Sequence, residues 1–78
     1  MNAQRRRQIL RAVDLIEEAL QILQEVTEKE QEAFDNLPEP FQDGPQGEKM
    51  QEYISALEDA AGQLEEAAEV AENCGCTR

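Results

Sequence analysis

The sequence predicts an all-α protein: an antiparallel two-helix hairpin, coiled-coil-like, joined by a proline- and glycine-rich elbow. All three prolines and two of the four glycines fall between Asp35 and Gly47. On both sides of that stretch, apolar residues recur at alternating steps of four and three, the period of packed helices. A chain of 78 residues has room for one domain. We therefore expect a single helical-hairpin domain over residues 1–78.

The first helix is predicted over about residues 3–36. Its apolar seam is formed by Ile9, Val13, Ile16, Leu20 and Leu23, and the register continues through Thr27, Glu30, Phe34 and Leu37. A second row lies beside it, formed by Ala12, Leu15, Ala19, Ile22, Val26 and Ala33. Two adjacent rows make a face wider than one partner helix covers. The pattern predicts a homo-oligomeric helical bundle, most simply a dimer of hairpins.

The elbow is predicted over about residues 37–46. Pro38 lacks a backbone N–H and biases Leu37 away from helical geometry, so the first helix should end near Asn36. A few residues would suffice to join two helices, and this chain uses about a dozen. Two interpretations remain open: a self-packed turn that closes the end of the bundle, or a recognition loop on a rigid scaffold.

The second helix is predicted over about residues 47–74, with a short tail over 75–78. Its seam consists of Met50, Ile54, Leu57, Ala61, Leu64, Ala68 and Ala71. Its flanking row consists of Tyr53, Ala56, Ala60, Gln63, Ala67, Val70 and Cys74. Asn73 and Gly75 offer plausible C-cap chemistry. Gly62 marks either a close helix crossing or a weak point in the helix.

The composition argues against most catalytic and nucleic-acid-binding functions. The net charge of −11, from 18 acidic and 7 basic residues, disfavours direct binding to nucleic acid or to an anionic membrane. Histidine is absent, and the two thiols of Cys74 and Cys76 cannot complete a zinc site within one chain; they belong either to a reduced tail or to a site shared between chains. The paired carboxylates follow helical spacing and should point outward. We expect no enzyme activity, no metal and no cofactor. No apolar run is long enough for a membrane span, which favours a cytoplasmic location.

Four arginines open the first helix, where cations oppose the helix macrodipole. They either form exposed ion pairs with the acidic end of the second helix or bind an anion such as phosphate. They lie ~45 Å from the elbow by the helix rise, but an antiparallel dimer would bring the two regions together. In that composite site, phosphate would bind to Arg5, Arg6, Arg7 and Arg11. Ribose or a base edge would bind to Asp35, Asn36, Glu39 and Gln42, and a ring would stack on Phe41.

The elbow also contains a short sequence motif that resembles that of a known group of proteins. Phe-Asp-Asn-Leu-Pro-Glu occupies positions 34–39, Gln42 follows, and Gly-Glu-Lys-Met occupies positions 47–50. With the arginine-rich start and acidic Ala/Leu helix, this resembles small acidic helical-hairpin proteins of phages and prophages of Gram-positive bacteria, mostly uncharacterised. Pro40 and the Asp43-Gly44-Pro45 run depart from that pattern, where relatives tend to have more ordinary polar residues.

The resemblance implies a mobile-element context, in which small non-enzymatic proteins often interfere with host defence. We expect a phage-type binding protein in the host cytoplasm that sequesters an anionic immune signalling nucleotide in an oligomer. Two alternatives remain: an acidic inhibitor of a basic, nucleic-acid-binding defence protein, or a structural coiled-coil adaptor.

Overall fold

The computed structural model describes residues 2–76, which form two long helices joined by a short elbow. Helix α1 spans Ala3–Asp35, the one-turn helix α2 spans Glu39–Gln42, and helix α3 spans Pro45–Cys76. The molecule is elongated, with Cα extents of 58 × 14 × 11 Å. The prediction of an all-helical chain with a Pro/Gly elbow is confirmed. Over residues 2–76, neither long helix has a stretch apolar enough to cross a membrane.

Helix α1 is capped at its start by Asn2, which lies just before the predicted helix. Asn2 is extended, and its Oδ1 accepts a hydrogen bond from the Arg5 backbone N–H at 2.8 Å. This satisfies one of the free N–H groups at the helix start. At the other end, the helix stops at Asp35, and the Asn36 N–H donates to the Glu32 carbonyl at 3.0 Å.

The elbow contains helical structure that the sequence analysis did not expect. Helix α2 makes one turn, in which the Phe41 N–H donates to the Pro38 carbonyl at 2.9 Å. Pro40 is tolerated because the first turn of a helix does not need its N–H. Only short irregular segments remain on either side of α2.

Helix α3 is longer at both ends than predicted. It begins at Pro45 rather than near residue 47, because proline with its fixed φ is well suited to the first helical position. The Glu48 N–H donates to the Gly44 carbonyl at 3.0 Å and completes this first turn. The predicted C-cap was wrong, since the helix continues to Cys76 and no described glycine has a positive φ. Thr77 and Arg78 of the predicted tail lie outside the described residues.

The core follows the predicted seams in both helices. Every seam residue of α1 and α3 is buried or half-buried, and the most buried are Val13, Ile54 and Ala68, at 4%, 7% and 8% exposure. The polar seam residue Thr27 is accommodated because its hydroxyl donates to the Leu23 carbonyl at 2.7 Å. The heptad period therefore identifies which residues pack between the two long helices.

Two glycines extend the α3 seam by one position at each end. A Cβ on Gly47 would collide with the Gln42 backbone, including its Cα at 2.7 Å, so α2 packs directly against this glycine. A Cβ on Gly75 would lie 2.9 Å from Leu10 Cδ2 and 3.5 Å from Ile9 Cγ2. At Gly47 the backbone of Gln42 excludes a side chain, whereas at Gly75 the flexible Leu10 side chain would have to shift slightly.

Candidate functional site

The predicted arginine cluster occupies the first three turns of α1. Arg5, Arg7 and Arg11 are exposed. Arg6 is half-buried, has interactions of its own, and lies in register with the seam. Exposed guanidinium groups offer planar donor forks that match phosphate or carboxylate oxygens. Three of the four arginines are thus accessible to an anion, whereas Arg6 is placed to pack between the helices.

Four of the predicted elbow residues are also exposed. They are Asp35, Asn36, Glu39 and Phe41, with 57% of the Phe41 side chain in contact with solvent. Asp35 Oδ1 accepts a hydrogen bond from Gln31 Nε2 at 3.0 Å, which leaves its other oxygen available. The elbow therefore presents an aromatic ring and several polar acceptors on its surface.

Gln42, the fifth predicted elbow residue, has a structural role instead. It is half-buried, and its Nε2 donates to the carbonyls of Phe34 and Leu37, each at 3.1 Å. These bonds tie α2 back to the end of α1, where the Phe34 carbonyl also accepts a hydrogen bond from the Leu37 backbone N–H at 3.1 Å. The Gln42 amide donors are consequently not available to a ligand, although its carbonyl oxygen is not used in these bonds.

The arginines and the elbow lie at opposite ends of α1. Its 33 residues correspond to ~50 Å of helix. One small ligand cannot contact both regions of a single chain. Any site that combines them needs a second molecule.

A third feature is a strip of exposed apolar residues, here called the apolar side face. In α1 it comprises Ala12, Leu15, Ala19, Ile22, Val26 and Ala33. In α3 it comprises Tyr53, Ala56, Ala60, Gln63, Ala67, Val70 and Cys74. All are exposed except the half-buried Ala60. Ile22 and Val70 are each 59% exposed, and the informative feature is that these exposed apolar residues share one strip and are not scattered singly.

A shallow groove with acidic walls, here called the acidic groove, lies between α1 and α3. It has a volume of about 530 Å³ and is lined by Gln24, Thr27, Glu28, Glu58, Ala61, Gly62 and Glu65. A second depression of about 340 Å³ adjoins it toward the elbow and adds Gln31, Glu32 and Asp35. Both are open to solvent, so they resemble a docking surface more than an enclosed ligand pocket.

The described residues show no arrangement typical of a metal site. Within residues 2–76, no group of three ligating side chains could hold a metal ion. The Cys74 thiol is free and exposed. The candidate sites are therefore the arginine end, the elbow, the apolar side face and the acidic groove.

Sequence reasoning missed the structural glycines and the Asn2 cap. Gly47 enters the sequence analysis only as the end of the proline- and glycine-rich stretch, although it lies three residues before the seam residue Met50. The sequence analysis assigns Gly75 to the C-cap of the second helix, although it follows the seam residue Ala71 by four. Continuation of the four–three spacing was the signal for both. Asparagine just before a helical pattern was the signal for the cap.

No known protein family, curated protein or solved structure matches the chain.

Proposed function

We propose that the chain is a non-enzymatic, phage-type binding protein that sequesters an anionic immune signalling nucleotide in the host cytoplasm. The observation that carries the proposal is the exposed group Arg5, Arg7 and Arg11 at one end of a chain with a net charge of −11. The overall field repels anions, so attraction must come from short-range contacts with these arginines. Such contacts favour a ligand that also has a base or ribose to bind elsewhere.

The hairpin geometry of the proposal is supported by contacts between the two long helices. We infer that α1 and α3 run antiparallel, because Gly75 near the end of α3 lies against Ile9 and Leu10 near the start of α1. Along the groove and the depression beside it, the lining residues of α1 advance from Gln24 to Asp35 while those of α3 go back from Glu65 to Glu58. Antiparallel chains place the arginines at one end of the hairpin and the elbow at the other.

In the proposed composite site, two hairpins associate in opposite directions. The arginines of one chain then lie beside the exposed elbow of the other. Phosphate would bind to the arginines, ribose hydroxyls would donate to Asp35 or Glu39, and the base would stack on Phe41. Asn36 would bind the base edge. The arrangement has two equivalent sites per dimer.

Thermal unfolding with a panel of cyclic and linear signalling nucleotides tests this function. A ligand at 100 times its dissociation constant should add ~2.7 kcal/mol of stability. For a domain of this size, that corresponds to a rise in Tm of ~10–20 °C. If no nucleotide raises the Tm at millimolar concentration, the nucleotide proposal is wrong.

A matched pair of variants tests the arginines themselves. Arg7→Ala with Arg11→Ala should abolish the nucleotide-dependent rise in Tm. The control, Gln21→Glu with Gln24→Glu, makes the same change in net charge but lies in the middle of α1, and it should keep the rise. Equal loss in both variants would mean that net charge, and not a site at the arginines, controls binding.

The acidic groove supports a second candidate, an inhibitor that occupies a basic surface of a nucleic-acid-binding defence protein. Glu28, Glu58 and Glu65 line the groove and could face lysine or arginine side chains of such a partner. Binding to defined basic nucleic-acid-binding domains can be measured by competition with labelled DNA. Glu58→Gln with Glu65→Gln should weaken this competition more than Glu17→Gln with Glu18→Gln. Equal weakening would argue against the groove as the contact.

If neither nucleotides nor basic domains bind, the coiled-coil adaptor is the proposal that remains.

A further inference from the structure

The apolar side face has a fixed place in the helical register. With the seam residues labelled a and d, every residue of this face occupies position c or g, in α1 and in α3 alike. Ala12, for example, precedes the a residue Val13, and Tyr53 precedes the a residue Ile54. The face therefore bears the same geometric relation to the seam in both helices.

Both halves of the apolar side face lie on the same side of the hairpin. In an antiparallel helix pair, positions e meet across one side of the seam and positions g across the other. The acidic groove identifies the side on which the e positions lie, because it is lined by Gln24, Glu58 and Glu65, which all occupy position e. The c and g residues consequently share the side opposite the acidic groove.

The hairpin has more exposed surface than a compact protein of its mass. Its accessible surface is 5997 Å². A folded monomer of 8.8 kDa is expected to expose about 4,800 Å². The excess is about 1,200 Å², comparable with the ~800 Å² that each partner buries in a stable interface. A strip as long as the 58 Å hairpin and as wide as its 14 Å extent has about the area that one partner buries in such an interface.

The charges around the apolar side face are complementary to a second copy of it. No acidic residue of α1 or α3 occupies position c or g, whereas Arg5, Lys29 and Lys49 do. Six of the neighbouring f positions form an acidic rim, which consists of Glu18, Glu25, Glu32, Glu52, Asp59 and Glu66, while Arg11 near the start of α1 is the one cation at position f. When two such faces meet, the cations of each face lie near the acidic rim of the other.

We propose that the apolar side face is an interface with a second copy of this chain, packed face to face and in the opposite direction. The orientation follows from the charge of the two ends. Residues 2–15 and 65–76 at the helix-start end carry four basic and five acidic residues, a net charge of −1. Residues 28–52 at the elbow end carry two basic and eight acidic residues, a net charge of −6. Opposite packing avoids placing two strongly acidic elbows together.

The interface is tested with a substitution at its centre. Ile22→Glu places a charge in the middle of the proposed interface, and Gln21→Glu adds the same charge one residue away, outside the c and g positions. Sedimentation velocity at tens of micromolar should show wild type and Gln21→Glu as dimers and Ile22→Glu as a monomer. A monomeric wild type, a dimeric Ile22→Glu, or equal dissociation of both variants would overturn the proposal.

Ile22→Glu could unfold if the hairpin needs its partner, so a second measurement on wild-type protein is required. The Tm of a dimer rises with protein concentration, whereas that of a monomer does not. A Tm that is constant between ~1 and ~100 µM would rule out the interface. This result does not depend on any variant being folded.

The orientation is tested with a spin label on Cys74 in a Cys76→Ser background. Cys74 lies 13 residues from the seam midpoint, Ala61, so oppositely packed copies place the two labels ~40 Å apart along the molecule. Copies packed in the same direction would place them within ~20 Å. A distance near the shorter value would overturn the opposite orientation.

The composite nucleotide site of the proposed function requires this dimer, but the dimer does not require a nucleotide. A dimer that binds no nucleotide would therefore reject only the proposed function.

Discussion

Gly47→Ala is the substitution for which the structure makes the sharpest prediction. The added methyl group would overlap the Gln42 backbone, with the Gln42 Cα only 2.7 Å away. Backbone atoms cannot swing aside as the end of a flexible side chain can. Either α2 moves away from α3, or the first turn of α3 unwinds.

The cost of Gly47→Ala can be worked out from three contributions. Overpacking of this kind costs ~1–3 kcal/mol. If α2 moves, the two hydrogen bonds from Gln42 to the carbonyls of Phe34 and Leu37 are lost, at ~0.5–1.5 kcal/mol each. The higher helix propensity of alanine returns ~1 kcal/mol. The net loss lies between ~1 and ~5 kcal/mol, and its central value of ~3 kcal/mol corresponds to a fall in Tm of ~10–20 °C.

Circular dichroism melts of three glycine variants at equal protein concentration test this reasoning. Gly62→Ala should gain ~1 kcal/mol, because its new methyl group meets nothing within 4 Å. Gly75→Ala should be close to neutral, since the 2.9 Å contact is with the flexible end of Leu10. A Gly47→Ala protein that melts at or above the wild-type temperature would refute the proposed packing of α2. Destabilisation by Gly62→Ala would indicate that another molecule covers the acidic side instead.

Three further outcomes are expected. Leu20→Asp places a charge on the seam and should abolish the cooperative melt seen by circular dichroism, whereas the exposed Glu58→Gln should change stability by under ~0.5 kcal/mol in urea titrations. Gln42→Ala should cost ~1–3 kcal/mol in the same titrations, because it removes two hydrogen bonds of ~0.5–1.5 kcal/mol each, and an unchanged midpoint would show that these bonds contribute nothing. Added salt should strengthen the proposed dimer in sedimentation experiments, because the repulsion that it screens between two chains of charge −11 outweighs the attraction of a few cations to the acidic rim; dissociation by salt would contradict this.

Periodicity predicted the fold well because a single physical requirement sets it. Residues such as Val13 and Ile54 recur at the seam because two long helices can bury only one stripe each. The same spacing continued to Gly47 and Gly75, but glycine is also the commonest residue at turns and helix ends. Composition alone could not decide between a helix breaker and a point of close helix contact. The contact with Gln42 decides it for Gly47.

The candidate site was less predictable than the fold. Exposure of Arg5, Arg7 and Arg11 follows from their position in the register, but the role of Gln42 does not. Its side chain reaches back to carbonyls five and eight residues earlier, and that depends on the path of the elbow. Local propensities predict neither the one-turn helix nor this path, because proline at position 40 suits both a helix start and an open turn.

The two sides of the hairpin are built differently on the same seam, and this separates the proposed functions in space. Positions c and g are apolar and free of acidic residues, whereas Glu58 and Glu65 at position e line the acidic groove. Association through the apolar side face would turn both acidic grooves outward and place the arginines of each chain beside the other elbow. An acidic inhibitor would then use the outer surfaces of the dimer, and a nucleotide would bind at its ends. Substitutions in the groove should therefore leave nucleotide binding unchanged, and loss of the dimer should abolish nucleotide binding while each hairpin keeps its acidic groove.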